Sequence, residues 1–309
     1  MNLPKQPILD SLTPFTRLLF SILLIIACFA ITFLLGLLLA APLLGVGINE
    51  IFSSMADYKN PTSLKLLKYF QVIQSFGLFI FPSLLAGYFF ERSSIRYLRI
   101  NKTSRWPVYL ITLFLMIASL PIINWMVSVN ELMKLPDFLK GIEDWMKVTE
   151  EAAAKLTEAF MKMPTVEGFL FNIIMIAVLP SIGEEFMFRG LLQRLFRDWL
   201  GNIHLAIFIS AFLFAAMHMQ FYGFLPRMIL GIIFGYLFYW TGSLWIPVFA
   251  HFIQNGLVVV VSYLGQHGFV GSDYENFGST NNFYLVFLSG LAAITFLFLL
   301  YKFKQRLAR

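Results

Sequence analysis

Long uncharged runs alternate with short charged segments along the whole chain. The first run lies between Arg17 and Glu50, and the others lie at residues 69–90, 106–130, 168–183, 199–226, 228–272 and 276–301. A membrane-spanning helix needs about 20 consecutive apolar residues. The run after Arg227 is long enough for two such helices, with a Thr-Gly-Ser turn at residues 241–243 near its middle. The pattern therefore predicts eight transmembrane helices.

The composition excludes a soluble globular protein. Hydrophobic residues make up 59% of the chain and charged residues 13%, and the mean hydropathy is +0.75, which leaves too few polar side chains to cover a water-exposed surface. We expect an all-α fold, a polytopic membrane bundle that residues 1–309 form as a single unit. Residues 1–166 would hold the N-terminal spans and an amphipathic extracytoplasmic segment, residues 167–264 a core with polar motifs, and residues 265–309 the final span and a basic tail.

The net charge is +6. The positive side chains lie in short loops between apolar runs, a distribution that indicates the orientation of a membrane protein and not a nucleic-acid-binding surface. Residues 91–105 hold five arginines or lysines against one acid, and the C-terminal tail is also basic. Positively charged loops stay in the cytoplasm. We therefore expect an integral protein of a bacterial cytoplasmic membrane, with both termini cytoplasmic and with no nucleic-acid partner.

Residues 131–167 are the one sizeable polar insertion, with eight acids and five lysines. Positive loops on one side place this segment on the opposite side of the membrane. Its apolar positions, which include Trp145, Val148, Leu156, Phe160 and Met163, suit an amphipathic helix that lies on the interface. Two hypotheses stay open, an interfacial cap and a lid that gates substrate access.

Charged side chains inside an apolar helix indicate a functional site, because each costs about 2.5 to 3.5 kcal/mol on insertion scales. Here Glu184, Glu185 and Arg189 continue an apolar run that begins near Phe169. Glu185 and Arg189 are four residues apart and share one helix face, whereas Glu184 lies about 100° around the helix. We therefore expect Arg189 to fix Glu185 as a carboxylate and to leave Glu184 free as a candidate base. An ion-pair staple without chemistry is the alternative.

Two histidines and an asparagine on later helices are candidate partners of the glutamates. His218 ends the stretch Phe-Ala-Ala-Met-His, and His251 and Asn255 are four apart and project from one face. Glycines at positions 183, 190, 231 and 235 permit the close helix contacts that would bring these groups together.

The three motifs together resemble the CPBP family of intramembrane proteases, which includes the eukaryotic CAAX prenyl endopeptidase and bacterial Abi-type proteins. The family's Glu-Glu-x-x-x-Arg falls on Glu184, Glu185 and Arg189, its Phe-x-x-x-His on Phe214 and His218, and its His-x-x-x-Asn on His251 and Asn255. The resemblance covers about residues 167–264. It implies a peptide-bond hydrolase whose site is sunk in the bilayer.

The residues fit hydrolysis, which needs a base for water, donors for the oxyanion and an acid for the leaving amine. We expect Glu184 and His218 to hold the water, His251 and Asn255 to donate to the oxyanion, and the substrate to be a membrane-associated protein or peptide. We expect no cofactor. Zinc bound by Glu184, His218 and His251 is the alternative, although no His-Glu-x-x-His helix is present.

Two functions from other classes remain open at this stage. A proton-coupled transporter would relay protons through the same carboxylates and histidines, although the sequence shows no repeat with corresponding broken helices. A membrane scaffold or immunity protein would keep the family pattern and work by binding a partner. One tension is unresolved, because straight spans put His218 near the outer end of its helix and put Glu184 and His251 nearer the inner side.

Overall fold

The computed structural model describes residues 7–9, 11–47, 51, 60–133, 135–271 and 273–307. Within these ranges the chain is helical and forms no β-strand. We number the principal helices α1 (Pro14–Leu44), α2 (Pro61–Glu91), α3 (Trp106–Ala118), α4 (Leu120–Glu131), α5 (Lys140–Met161), α6 (Val166–Leu200), α7 (Ile203–Met217), α8 (Phe224–Thr241), α9 (Trp245–Gln266) and α10 (Phe283–Leu307). A one-turn helix, Ser94–Tyr97, follows α2. The expected all-α membrane bundle is confirmed.

The predicted count of eight full spans is not reached. Of the described helices, six are long and apolar enough to cross a membrane, and a seventh span results if α3 and α4, bent by 43°, count as one. The remaining expected span, residues 199–226, contributes only α7, whose 15 residues extend about 22 Å. The apolar core of a bilayer is about 30 Å thick, so α7 is too short to cross it.

Prolines account for irregular turns inside two of the long helices. Segments widened to π geometry, Ser75–Ile80 and Ile173–Val178, lie just before Pro82 and Pro180. Proline has no N–H and its ring crowds the carbonyl four residues earlier, and a widened turn accommodates both effects without ending the helix. A third π segment, Phe186–Leu192, contains no proline and lies directly after the glutamate pair.

Close helix packing at glycines surrounds the polar motifs, as the sequence predicted. A Cβ atom added at Gly231 or Gly235 of α8 would lie 3.0 Å or 2.8 Å from a side chain of α7. One added at Gly183 of α6 would lie 2.9 Å from a side chain of α2, and one at Gly190 would lie 2.8 Å from Leu98. Such contacts bring α2, α7 and α8 close to α6.

The amphipathic helix α5 is fixed to the bundle at its C-terminal end. The Asn172 side-chain amide donates to the Phe160 carbonyl at 2.6 Å, and the Gln266 amide donates to the Met161 carbonyl at 2.7 Å. Of the predicted apolar positions, Phe160 and Met163 are buried, whereas Trp145 is 49% exposed. The N-terminal half of α5 therefore lies more loosely on the bundle than its C-terminal end.

Candidate functional site

Two neighbouring carboxylates lie inside the bundle, about midway along α6. Glu184 is 9% exposed and Glu185 is completely buried. Glu184 is 16 residues from the end of α6 at Leu200, a distance of about 24 Å along the helix. One oxygen of each carboxylate, Oε2, is buried without a hydrogen-bond partner among the described residues. Both groups thus retain capacity to accept a proton or a hydrogen bond.

Arg189 holds Glu185, and the predicted i,i+4 pair is confirmed. The Arg189 Nη1 atom donates to Glu185 Oε1 at 2.8 Å, and Nη2 donates to the Gly231 carbonyl of α8 at 3.1 Å. The guanidinium carbon lies 4.6 Å from the centroid of the Phe214 ring and 5.3 Å from that of Phe234. The arginine is therefore enclosed by a carboxylate, a carbonyl and two aromatic faces, a set of partners that stabilises a buried cation.

A second contact of the same kind lies one turn farther along α6. The Gln193 side-chain amide donates to the Gly235 carbonyl of α8 at 3.2 Å. Arg189 and Gln193 are four residues apart, as are their acceptors Gly231 and Gly235, so α6 and α8 run parallel in a fixed register. Gln193 was not among the site residues predicted from the sequence, although its i,i+4 relation to Arg189 within an apolar helix was a usable signal.

His251 of α9 faces both glutamates. Its Nδ1 atom donates to Glu185 Oε1 at 2.9 Å, and its Nε2 atom lies 3.9 Å from Glu184 Oε2. The Phe234 ring stacks on the imidazole, with the centroids 5.3 Å apart. Glu185 therefore orients the histidine, while the longer distance between Nε2 and Glu184 suits a bridging water better than a direct bond.

His218 lies directly after α7, in the turn that leads to α8. Its Nδ1 atom donates to the Phe214 carbonyl at 2.8 Å, which leaves Nε2 as the nitrogen that can accept or bind. The side chain interacts electrostatically with Glu184 and with His251. Phe214 thus has two contacts in the site, since its ring covers Arg189 and its carbonyl orients His218.

From the sequence, His218 and the glutamates were expected to lie at different depths in the membrane. That expectation assumed that α7 crosses the membrane, and it does not hold. Ser210 donates to the Phe188 carbonyl at 2.9 Å, and the rings of Phe188 and Phe214 meet edge to face at 5.3 Å. These contacts hold α7 beside the glutamate-bearing part of α6. His218, one turn beyond Phe214, therefore lies level with Glu184.

Asn255 lies one turn beyond His251, beside an irregular part of α6. Its side-chain amide donates to the Ile176 carbonyl at 3.1 Å, within the π segment that precedes Pro180. One of its two N–H groups is thereby used in tethering α9 to α6, and the second is the group with which Asn255 could donate to a substrate.

Arg227 is a further charged residue near the site. It lies in the first turn of α8, its guanidinium donates to the side-chain oxygen of Gln220 at 2.5 Å, and it interacts electrostatically with Glu184 and Glu150. Arg227 was not among the site residues predicted from the sequence, where it separates two uncharged runs. A lone arginine in an otherwise uncharged stretch was the same signal that identified the glutamates.

Helix α5 covers the turn that carries His218. The backbone N–H of Tyr222 donates to a Glu150 carboxylate oxygen at 3.3 Å, and the rings of Trp145 and Phe221 lie 5.3 Å apart. These contacts join the loosely held half of α5 to the site, an arrangement that suits the lid hypothesis for this segment.

The zinc alternative finds limited geometric support. Within the described part of the chain, no three His, Cys, Asp or Glu side chains are grouped as ligands of a metal ion. Both histidines nevertheless fix Nδ1–H on an oxygen acceptor and leave Nε2 available, which is how metal-bound histidines are commonly oriented.

Comparisons with known proteins find one family model and two curated relatives. Residues 166–257 match the family model described as type II CAAX prenyl endopeptidase Rce1-like. The uncharacterized protein YpbD of Bacillus subtilis is 30% identical over 90 residues, which are 28% of this chain and 43% of that protein. The membrane-embedded CAAX protease MroQ of Staphylococcus aureus is 33% identical over 98 residues, or 30% of this chain and 39% of that protein.

The chain thus spans less than half the length of these curated relatives, and no solved structure matches it. The matched region holds all three polar motifs. Over residues 166–257 the chain is similar to the type II CAAX prenyl endopeptidase Rce1-like family, and this similarity supports the resemblance to the CAAX protease family that the motifs indicated.

Proposed function

We propose that this protein is an intramembrane endopeptidase that hydrolyses a peptide bond in a membrane-associated protein or peptide. The observation that carries the proposal is the position of Glu184, whose Oε2 atom is buried, has no hydrogen-bond partner among the described residues and lies 3.9 Å from His251 Nε2. A carboxylate oxygen kept free inside an apolar bundle is costly for stability. Its retention is explained if it takes a proton during a reaction.

Glu184 is the general base in this mechanism. It takes a proton from a water held between its Oε2 atom and the histidines, and the oxygen of that water attacks the substrate carbonyl carbon. The resulting tetrahedral intermediate breaks its carbon–nitrogen bond as the proton on Glu184 passes to the leaving amine. The same carboxylate thus serves first as base and then as acid, so no other proton donor is required.

Asn255 donates its second N–H to the carbonyl oxygen as negative charge develops there, and His251 donates from Nε2 as an imidazolium. His218 accepts a hydrogen bond from the water at Nε2, because its Nδ1 already donates to Phe214. Glu185 accepts from His251 Nδ1, and a carboxylate in that position stabilises an imidazolium. Arg189 acts indirectly, by holding Glu185 in place. We assign it a positioning role, because its nitrogens bond Glu185 and Gly231.

The substrate class comes from the relatives and belongs to the proposal. The matched family model is named for prenyl endopeptidases that cut CAAX sequences, so a farnesylated CAAX peptide is the first probe. A peptide of the same sequence without the lipid, anchored by an apolar segment, is the second probe. Cleavage of either one by the purified protein supports an endopeptidase, and the ratio of the two rates reports whether the lipid is recognised.

The decisive comparison is Glu184→Gln against the wild-type protein, both reconstituted in the same lipid. The variant keeps the shape of the side chain and loses the basic oxygen, so turnover should fall by about 10² to 10⁴. Glu158→Gln, on the exposed face of α5, is the matched control and should cleave at the wild-type rate. Wild-type activity of Glu184→Gln would defeat the assignment.

A further inference from the structure

Three arginines converge on a cavity outside the candidate active site. It lies at the end of the bundle where residues 91–105 meet the last turns of α6, which we call the basic end. The cavity has a volume of about 140 Å³ and is lined by Arg99, Arg194 and Arg197 together with Gln193, Phe238 and Tyr239. A single water needs roughly 10–15 Å³ of such space, so a phosphate-sized group fits with room for waters.

Arg194 lacks the partners that a buried guanidinium normally has. Its Nε and Nη1 atoms are buried without a hydrogen-bond acceptor among the described residues, and its guanidinium lies 4.3 Å from the centroid of the Tyr97 ring. Burial raises the pKa of Tyr97 to about 12, so that phenol stays neutral and does not balance the charge. Buried donors without acceptors are uncommon in proteins.

The neighbouring arginines add positive charge to the same cavity. Burial lowers the pKa of Arg99, the charges of Arg194 and Arg197 lower it further, and the charge of Glu91 acts in the opposite direction. Arg197 pairs with Asp198 at 2.6 Å. Two carboxylates near three guanidiniums still leave an excess of positive charge at the point where α6, α8 and residue 99 meet.

Arg99 is also held in an uncommon backbone conformation. Its φ angle is +57°, in the left-handed region that non-glycine residues rarely occupy. Its Nη1 atom lies close to Gly242, at the C-terminal end of α8. The residue is exposed, and its guanidinium lies beside the helix end that borders the cavity.

We infer that the cavity at the basic end binds the phosphate group of an anionic lipid. Guanidinium groups bind phosphate oxygens through paired charge-assisted hydrogen bonds, and basic pockets between transmembrane helices are known sites for lipid headgroups. The surroundings favour a lipid over free phosphate, since Ile203, Phe238 and Tyr239 line the same cavity and Tyr239 is 38% exposed. These side chains would contact the acyl and glycerol parts of the molecule.

The test measures lipid binding to the purified full-length protein by native mass spectrometry and by thermal unfolding in detergent. Phosphatidylglycerol, phosphatidylcholine and inorganic phosphate are added separately. We expect one phosphatidylglycerol to stay bound under conditions that remove phosphatidylcholine, and we expect it to raise the melting temperature. Equal retention of the two lipids would overturn the inference, and stabilisation by inorganic phosphate equal to that by phosphatidylglycerol would overturn the lipid assignment.

Single substitutions test whether phosphatidylglycerol binds at this cavity. Arg99→Gln and Arg194→Gln should each weaken phosphatidylglycerol binding by about tenfold or more, since each removes a charged donor. Arg105→Gln removes an exposed arginine of the same segment and should leave binding unchanged. If Arg194→Gln does not fold, Arg194→Lys, which keeps the charge, is measured in its place. Phosphatidylglycerol binding that is unaffected by both glutamine variants, or lowered equally by Arg105→Gln, would refute the site.

Discussion

Replacing Arg189 by methionine would separate its structural role from a chemical one. The side chain is 1% exposed and bonds Glu185 and the Gly231 carbonyl. Methionine keeps most of the volume and removes the charge, so Glu185 is left as a buried carboxylate whose remaining partner is His251 Nδ1. The expected effect is a loss of stability together with a loss of activity.

The magnitude follows from the contacts that are lost. Removing one partner of a buried ion pair costs about 3–5 kcal/mol, and the bond to Gly231 is part of the same change, so the total is on the order of 4 kcal/mol. For a protein of 309 residues a loss of 1 kcal/mol lowers the melting temperature by about 1.5 °C. We therefore expect Arg189→Met to melt about 6 °C below the wild type.

The assay is thermal unfolding and cleavage measured on the same preparation. Lys155→Ala, which breaks the exposed i,i+4 pair with Glu151, is the matched control and should change the melting temperature little. Adding Glu185→Gln to Arg189→Met removes the stranded charge, and the double variant should be more stable than Arg189→Met alone. An Arg189→Met protein that melts like the wild type and is inactive would refute the reasoning and place Arg189 in the chemistry.

Three further predictions address catalysis and topology. Asn255→Ala should lower turnover by about 10² to 10³ with a small effect on KM, as the loss of one oxyanion donor does; a pure rise in KM would assign Asn255 to substrate binding. We expect chelators to leave activity intact, and activity that is lost on chelation and restored by zinc would establish a zinc enzyme. Cysteines at positions 5 and 309, outside the described residues, should be labelled from the cytoplasm and a cysteine at Glu150 from the other side; cytoplasmic labelling at Glu150 contradicts the topology.

The parts of the site that depend on local geometry could be predicted from the sequence. Glu185 and Arg189 lie on one helix, where a separation of four residues brings side chains together whatever the tertiary structure. The apolar runs likewise indicated the long helices, because about 20 apolar residues in succession have few other stable arrangements.

The contacts between helices could not be predicted, since they depend on how each helix is rotated and where it ends. The spacing of His251 and Asn255 shows that they share a face, but only the packing of α9 shows that His251 Nδ1 is used by Glu185 and that Asn255 is tethered to Ile176. The early end of α7 also lacks a sequence signal. The chain leaves the helix through Met219 with a φ angle of +52°, at a position where glycine or asparagine would have marked the stop.

The short α7 creates a hydrophobic mismatch beside the catalytic candidates. A helix of 15 residues falls about 8 Å short of the apolar thickness of a bilayer. The turn at residues 218–223 thus lies below the level of the lipid headgroups, where backbone polar groups need protein or water as partners. A bilayer thins around such an element at a cost of fractions of a kcal/mol per Å, which brings solvent down towards His218. The turn between α7 and α8 would therefore admit the water that hydrolysis consumes, along a path much shorter than half the thickness of the membrane.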